Sequence, residues 1–263
     1  MSNQEDFVRL SAFMISLTLL GFLEIYFKRR APGQNKIYRW KVNISLALIN
    51  SFGLKLLSFV SPVLVARMTS SQGYGFLNQF DLQDLWKGVV TFLFLDVLIY
   101  WQHRMFHRVP ALWSLHLVHH GDKDLDVSTG FRFHLVEMIL SMMIKIAGVV
   151  MIGGSPEGVF AAELALSLGA LFSHANINLG RFDKFVQVIL VSPDMHRVHH
   201  GLKRQFCDTN FGFSLSLWDR LFRTYYDSDK VDHQNIVFGG SRSGISYPSS
   251  LTGLLKAPFV KKR

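Results

Sequence analysis

The residues best able to do chemistry in this 263-residue chain are its histidines, and five of the eleven lie in one stretch, Asp96–Gly121. They are spaced His103-x3-His107 and His116-x2-His119-His120, and the second pattern returns as His196-x2-His199-His200. A glycine, Gly121 or Gly201, directly follows each copy. An α-helix turns once in about 3.6 residues, so imidazoles three or four apart emerge on one face. Neutral imidazole binds iron, zinc, copper or nickel. Eight histidines in three groups exceed the needs of one tetrahedral zinc, which takes four ligands. Two metals, each with three or four imidazoles and an open position, use them naturally. The single cysteine, Cys207, excludes an intrachain disulfide and a thiolate cluster, so nitrogen and oxygen are the expected donors.

The elements that must hold these groups read as membrane helices. Apolar residues make up 49% of the chain, 23 of them phenylalanine, and the mean hydropathy is +0.22. A net charge of +9 raises the question of nucleic acid. The basic residues sit mostly beside apolar segments, which fits an anionic membrane surface instead. Apolar stretches run over 10–27, 42–66, 85–101, 135–152 and 159–173. The second carries Lys55 and Pro62, so it either spans obliquely or breaks into two half-segments. About four to five spans are expected. Glu5 and Asp6 do not suit the basic start of a signal peptide. The tight link Gly153–Glu157 implies an antiparallel helical hairpin. The basic run 28–41 assigns its side to the cytosol. Alternation from there puts every clustered histidine on that side. Ser192-Pro193-Asp194 offers an N-cap and an N1 proline, predicting a short helix over 193–200. The two glycines are expected at C′ positions, where positive φ is cheap.

Several further residues face this region. His174 follows the fifth stretch and is expected among the ligands; His134, opening the fourth, reads as a ligand, as an outer partner or as interface packing. Asp96 lies about two turns before His103, so it is expected to hold the N–H of a ligating ring. Tyr100 shares that stripe, or is an interfacial tyrosine. Glu137, three after His134, is expected to orient that ring or to contact the metal region. Glu163 is a third carboxylate within an apolar helix. Phe92, Phe94, Met138, Met142, Met143, Phe160 and Phe172 either line a lipid channel or simply pack. The basic end, Lys261-Lys262-Arg263, touches lipid headgroups or is solvated. His233 lies in a polar tail and is left out.

The chain resembles the sterol desaturase / fatty acid hydroxylase superfamily of membrane histidine-motif di-iron oxygenases. The resemblance covers about residues 84–226 and rests on YWQHRMFHRVPALWSLHLVHH, DLDVSTGFRFHLVE, FSHANIN and SPDMHRVHH…NFGFSLSLWDRLFRTY. It implies that His103, His107, His116, His119, His120, His196, His199 and His200 bind two metals, with His174 as the intervening ligand. Arg132…His134…Glu137 resembles a further family motif. Asn178 stands where hydroxylases often have another histidine. The spacing HRMFH looks closer to the sterol desaturase and alkylglycerol monooxygenase branches than to fatty acid 2-hydroxylases.

The expected fold is therefore all-α: one integral-membrane domain over 1–263, with a helical cytosolic cap carrying a histidine-rich dimetal site. Residues 84–226 form its catalytic region. The expected function is iron- and O2-dependent hydroxylation or desaturation of a membrane lipid, such as a fatty acyl chain, sterol or ether lipid. Metal ligands are the ten histidines named above, and Asp96 and Glu137 are the assisting carboxylates. Two iron ions and O2 are implied. No HPGG haem motif appears in the sequence, so a separate cytochrome b5-, ferredoxin- or reductase-type electron donor is expected. A bacterial inner membrane, or endoplasmic reticulum in a eukaryote, is the expected location. The alternatives are a non-catalytic membrane protein that binds or transports metal, and bis-histidine haem binding, which needs paired histidines within the spans at one depth.

Overall fold

A computed structural model describes residues 3–57, 61–240 and 247–260. Among them the regular elements are all helices, and pairing of extended backbone is limited to two isolated bridges, Lys28 with Ile177 and Leu190 with Leu215. The long helices are α1 (Asn3–Tyr26), α2 (Lys36–Lys55), α3 (Pro62–Ser71), α4 (Asp84–Arg108), α5 (Pro110–His120), α6 (Leu135–Ile152) and α7 (Pro156–His174). Short helices α8 (Phe182–Val186) and α9 (Pro193–His199) follow in the cap.

Helices α1 and α6 are long and apolar enough to cross a membrane. α1 turns Leu10, Ile15, Leu19 and Phe22 outward, as a helix bathed in lipid would. The second apolar stretch is divided between α2 and α3. Ser61 caps α3 by accepting from the Leu64 N–H, and Pro62 fills a first-turn position whose N–H needs no partner. α4 continues as one helix through His103 and His107 to Arg108. The α6–α7 link is the expected tight turn, with Gly153 at φ +68°, Ser155 accepting from the Gly158 N–H and Pro156 following. Beyond it, α6 and α7 pack mainly on other helices, α3 and α4 among them, rather than on each other. Core packing there joins Val63 and Ala66 of α3 to Leu95, Val149, Val159 and Ala162.

The basic segment after α1 packs onto the histidine-bearing cap. Arg29 pairs with Asp194 at 3.0 Å. Arg39 is buried, held by Asp122 and Asp126 at 2.7 Å each. Burying charge is costly unless it is paired, and here the pairing ties α2 to the segment that follows α5. Burial pushes the Asp122 carboxyl up, but the Arg39 hydrogen bond and the Arg132 and Arg39 charges outweigh that, holding it at about 2. Lys261–Arg263 lie outside the described residues.

The glycines after the histidine motifs are required for a different reason than expected. Gly121 has φ −76°, and Gly201 is not among the positive-φ residues. A Cβ on Gly121 would sit 2.2 Å from the Tyr247 ring and 2.7 Å from the Leu117 carbonyl oxygen. At Gly201 it would meet Ile236, Phe206 and the Val198 carbonyl at about 3 Å. Close approach, not backbone conformation, demands glycine at both positions.

Candidate metal centre

Four elements deliver the clustered histidines: the end of α4, α5, the end of α7, and α9. Ser192 caps α9 as expected, accepting from the Met195 N–H at 3.1 Å. Nine buried histidines sort into two groups that can hold a metal ion. One comprises His103, His107, His116, His120 and His199; the other comprises His119, His174, His196 and His200. Each HxxHH motif is split between them. His116 and His120, one helical turn apart, go to the first group and His119 to the second. In α9 the turn-spaced pair His196 and His200 goes to the second group, and His199 crosses to the first.

In the four-member group the Nε2 atoms converge. His174 Nε2 lies 3.0 Å from His119 Nε2, 3.0 Å from His196 Nε2 and 3.1 Å from His200 Nε2. The far sides of two rings are occupied: His174 Nδ1 donates to the Ala170 carbonyl at 2.6 Å and His119 Nδ1 to the Arg132 carbonyl at 3.2 Å. With its proton on Nδ1, a neutral ring presents a bare lone pair at Nε2, and lone pairs facing one another offer no mutual hydrogen bond. A cation answers that geometry. Tetrahedral metal–nitrogen bonds of about 2.0–2.1 Å put the nitrogens roughly 3.3 Å apart, close to what is seen.

The five-member group is built likewise. His103 Nδ1 donates to the Phe211 carbonyl (2.7 Å), His199 Nδ1 to the Thr209 carbonyl (2.7 Å) and His116 Nδ1 to Glu137 Oε1 (2.6 Å). His103 and His116 meet Nε2 to Nε2 at 3.1 Å. Such outward hydrogen bonds fix ring orientation and tautomer. Burial, reinforced by neighbouring imidazoles, pushes the pKa of His119, His120, His196 and His200 well below the ordinary value. The rings are therefore neutral and ready to ligate.

The structure places the remaining expected residues as follows. Glu137 reaches His116, not His134. His134 stands apart from both groups: it caps α6, its Nδ1 accepting from the Val136 N–H at 3.2 Å and its Nε2 donating to the Leu255 carbonyl at 3.3 Å. Asp96 accepts from Trp218 Nε1 at 2.7 Å and from the Leu215 N–H at 3.3 Å, so it ties α4 to the cap rather than holding a histidine. Tyr100 does the same through Thr224 at 2.7 Å. Asn178 is exposed and accepts from the Gly180 N–H in a turn. His233 is buried, its Nε2 donating to the Ser228 carbonyl at 2.9 Å.

One residue that sequence reasoning passed over, Asp219, and one it set aside as a donor, Cys207, matter here. Asp219 accepts from the Phe211 and Gly212 N–H groups at 2.8 Å each, holding the loop whose Phe211 carbonyl orients His103. Burial raises its carboxyl to about 6. Its place in the NFGF…WDR run was the only signal. Cys207 is buried with its Sγ 3.7 Å from His107 Nδ1, and the two form a third potential ligand group with Asp208.

A cavity of about 420 Å³ opens beside the five-member group, lined there by His103, His116 and Glu137. Met138 and Met142 line it as expected, but its phenylalanines are Phe13, Phe106, Phe131, Phe133 and Phe213. Phe92, Phe94, Phe160 and Phe172 pack in core clusters instead, and Met143 is exposed. Of the clustered histidines only His103 and His116 reach its wall, so only the five-member group has access.

A family model described as fatty acid hydroxylase matches residues 88–224, just over half of the chain. Human alkylglycerol monooxygenase is 29% identical over 239 residues, covering 89% of this chain and 50% of that protein. The ornithine lipid hydroxylase OlsE of Rhizobium tropici is 24% identical, covering 84% of this chain and 62% of the relative. Human lathosterol oxidase is 26% identical over 65% of this chain and 58% of its own. The chain thus spans about half the length of human alkylglycerol monooxygenase and less than two thirds of OlsE and of human lathosterol oxidase. No solved structure matches it.

Proposed function

The chain belongs to the fatty acid hydroxylase family, and on that premise we propose that it uses two histidine-held iron ions and O2 to hydroxylate or desaturate a membrane lipid. The observation that carries this reading is the pair of buried imidazole groups beside an apolar cavity, one group facing it and the other closed off. The relatives are named for alkylglycerol, ornithine lipid and lathosterol. All three are lipids, which supports the class of substrate without choosing within it.

Bound iron would supply the reduction of O2 and the oxidising strength that protein side chains lack. The chain's own residues do the rest. In this reading His103, His107, His116, His120 and His199 hold one ion, and His119, His174, His196 and His200 the other. Glu137 takes the Nδ1 proton of His116 in a hydrogen bond, raising the basicity of that ring. The Phe211 carbonyl does this for His103, held in turn by Asp219. Met138, Met142 and the phenylalanines receive the lipid body and exclude water. Residues 84–226 are the catalytic region of a single integral-membrane unit with four to five spans. The site lies on the cytosolic side of a bacterial inner membrane or endoplasmic reticulum, where a separate cytochrome b5-, ferredoxin- or reductase-type donor delivers electrons.

The test is to incubate membranes carrying the protein with O2 and a reducing system, and to compare lipid profiles with a His119→Ala strain. Loss of an oxidised lipid class in the variant is expected. Indistinguishable profiles across lipid classes would overturn the enzyme reading and favour a metal-binding protein.

A further inference from the structure

The far end of the cavity holds three charged side chains, none of which belongs to the metal centre. Arg9 of α1, Lys145 of α6 and Glu163 of α7 all line it. Glu163 Oε2 accepts from Arg9 at 2.9 Å and Glu163 Oε1 from Lys145 at 2.8 Å. Two cations share one carboxylate, leaving one net positive charge that is met only in part, by the Phe160 ring 4.6 Å from the Arg9 guanidinium. A second observation points the same way. Arg9 Nε is buried and has no hydrogen-bond partner, and a buried donor left unmade is expensive.

The histidine end has the opposite character. Asn50 Oδ1, Gln102 Oε1 and Glu137 Oε2 are buried atoms of cavity-lining residues with no hydrogen-bond partner. All are acceptors in this assignment, and Asn50 is pinned because its amide nitrogen donates to the Phe133 carbonyl. The two ends are well separated. Glu137 and Lys145 are eight residues apart on α6, about 12 Å, and Glu163 precedes His174 by eleven residues on α7, about 16 Å.

The geometry points to Arg9 and Lys145 as a subsite for the anionic end, carboxylate or phosphate, of a single-chain lipid whose hydrocarbon runs toward His103 and His116. This rests on the reading of the cavity as the substrate's. It adds that the carbon presented to the metals is remote from the anionic end. Glu163 holds the two cations side by side and tempers their charge, so removing its charge should strengthen anion binding rather than weaken it. A salt bridge serving only to join three helices gives the reverse.

The full chain, purified in uncharged detergent and matched for metal content, is tested at pH 8 by scintillation-proximity binding of radiolabelled palmitate, with unlabelled 1-hexadecanol and monohexadecyl phosphate as competitors. Palmitate and the phosphate should bind on the order of tenfold more tightly than the alcohol, the worth of one charge-assisted hydrogen bond. Lys145→Met should abolish that preference, Lys145→Arg should restore it, and Glu163→Gln should widen it. Equal binding of acid and alcohol by the wild type would overturn the subsite. So would a Glu163→Gln variant that weakens all three ligands alike, or a Lys145→Met variant that keeps the preference. Binding needs no turnover, so an anion preference found without lipid oxidation supports the subsite and counts against the enzyme reading alone.

Discussion

The two histidine groups are made from the same motifs, yet they meet different surroundings. The five-member group borders the cavity through His103 and His116 and is oriented in part by a carboxylate, Glu137. The four-member group lies away from the cavity wall, and the two of its rings described above, His119 and His174, donate to main-chain carbonyls. A charged outer partner makes a ring a stronger donor than a neutral carbonyl does. On the proposed reading, the difference gives substrate contact to one side of the centre and a supporting role to the other. Because each HxxHH motif feeds both groups, the backbone that places one group also places the other.

The largest expected effect breaks both sides equally. His116→Ala in the cavity-facing group and His174→Ala in the closed one should each lower lipid oxidation by on the order of 100-fold or more, since even outer partners are worth 10–100-fold. Quantitative lipid profiling checks this. A closed-group variant with full activity would reduce the centre to one working metal.

Next in size is Asp122→Asn, which strikes beneath both groups because Asp122 locks the segment after α5 to Arg39. Leaving Arg39 underpaired should cost about 3–5 kcal/mol, seen as a lower Tm. The same pair gives a pH dependence. The Asp122 carboxyl is held at about 2, below its ordinary value. Its stabilisation is therefore complete above about pH 4 and lost as the pH falls toward 2. Thermal melts of wild type and Asp122→Asn should converge over that window.

Glu137→Gln sharpens the contrast between the groups. It keeps an acceptor for His116 but removes the charge, so iron affinity of the cavity-facing group should fall about tenfold while the closed group is unchanged. Competition with a chelator reads the two affinities separately. The smallest effect belongs to His134→Ala, which removes only a helix cap. It should cost about 1 kcal/mol of stability and leave iron content untouched.

Much of this arrangement was legible in the residues themselves. Spacing alone grouped the histidines on helix faces, and Ser192-Pro193 marked the start of α9. The division of each motif between two groups was not legible, because it depends on how α5, α7 and α9 cross. Helical spacing correctly put Asp96 on the stripe of His103, but it says nothing of what a third element offers. Trp218 took that carboxylate, and the Phe211 carbonyl took the ring. Likewise Glu137 follows His134 by three residues, yet the tertiary neighbour His116 claimed it. His134 lay at a helix start, where capping competes with ligation.

The most direct test of the central claim is Mössbauer spectroscopy on the detergent-purified chain loaded anaerobically with iron-57, with iron per chain measured on the same sample. An interleaved centre predicts two irons per chain in two distinct environments, and loss of both signals' native parameters when either His119 or His199 is replaced by alanine, since each crosses to the group opposite its motif. One iron or none after full loading, or a native spectrum in both variants, would contradict it.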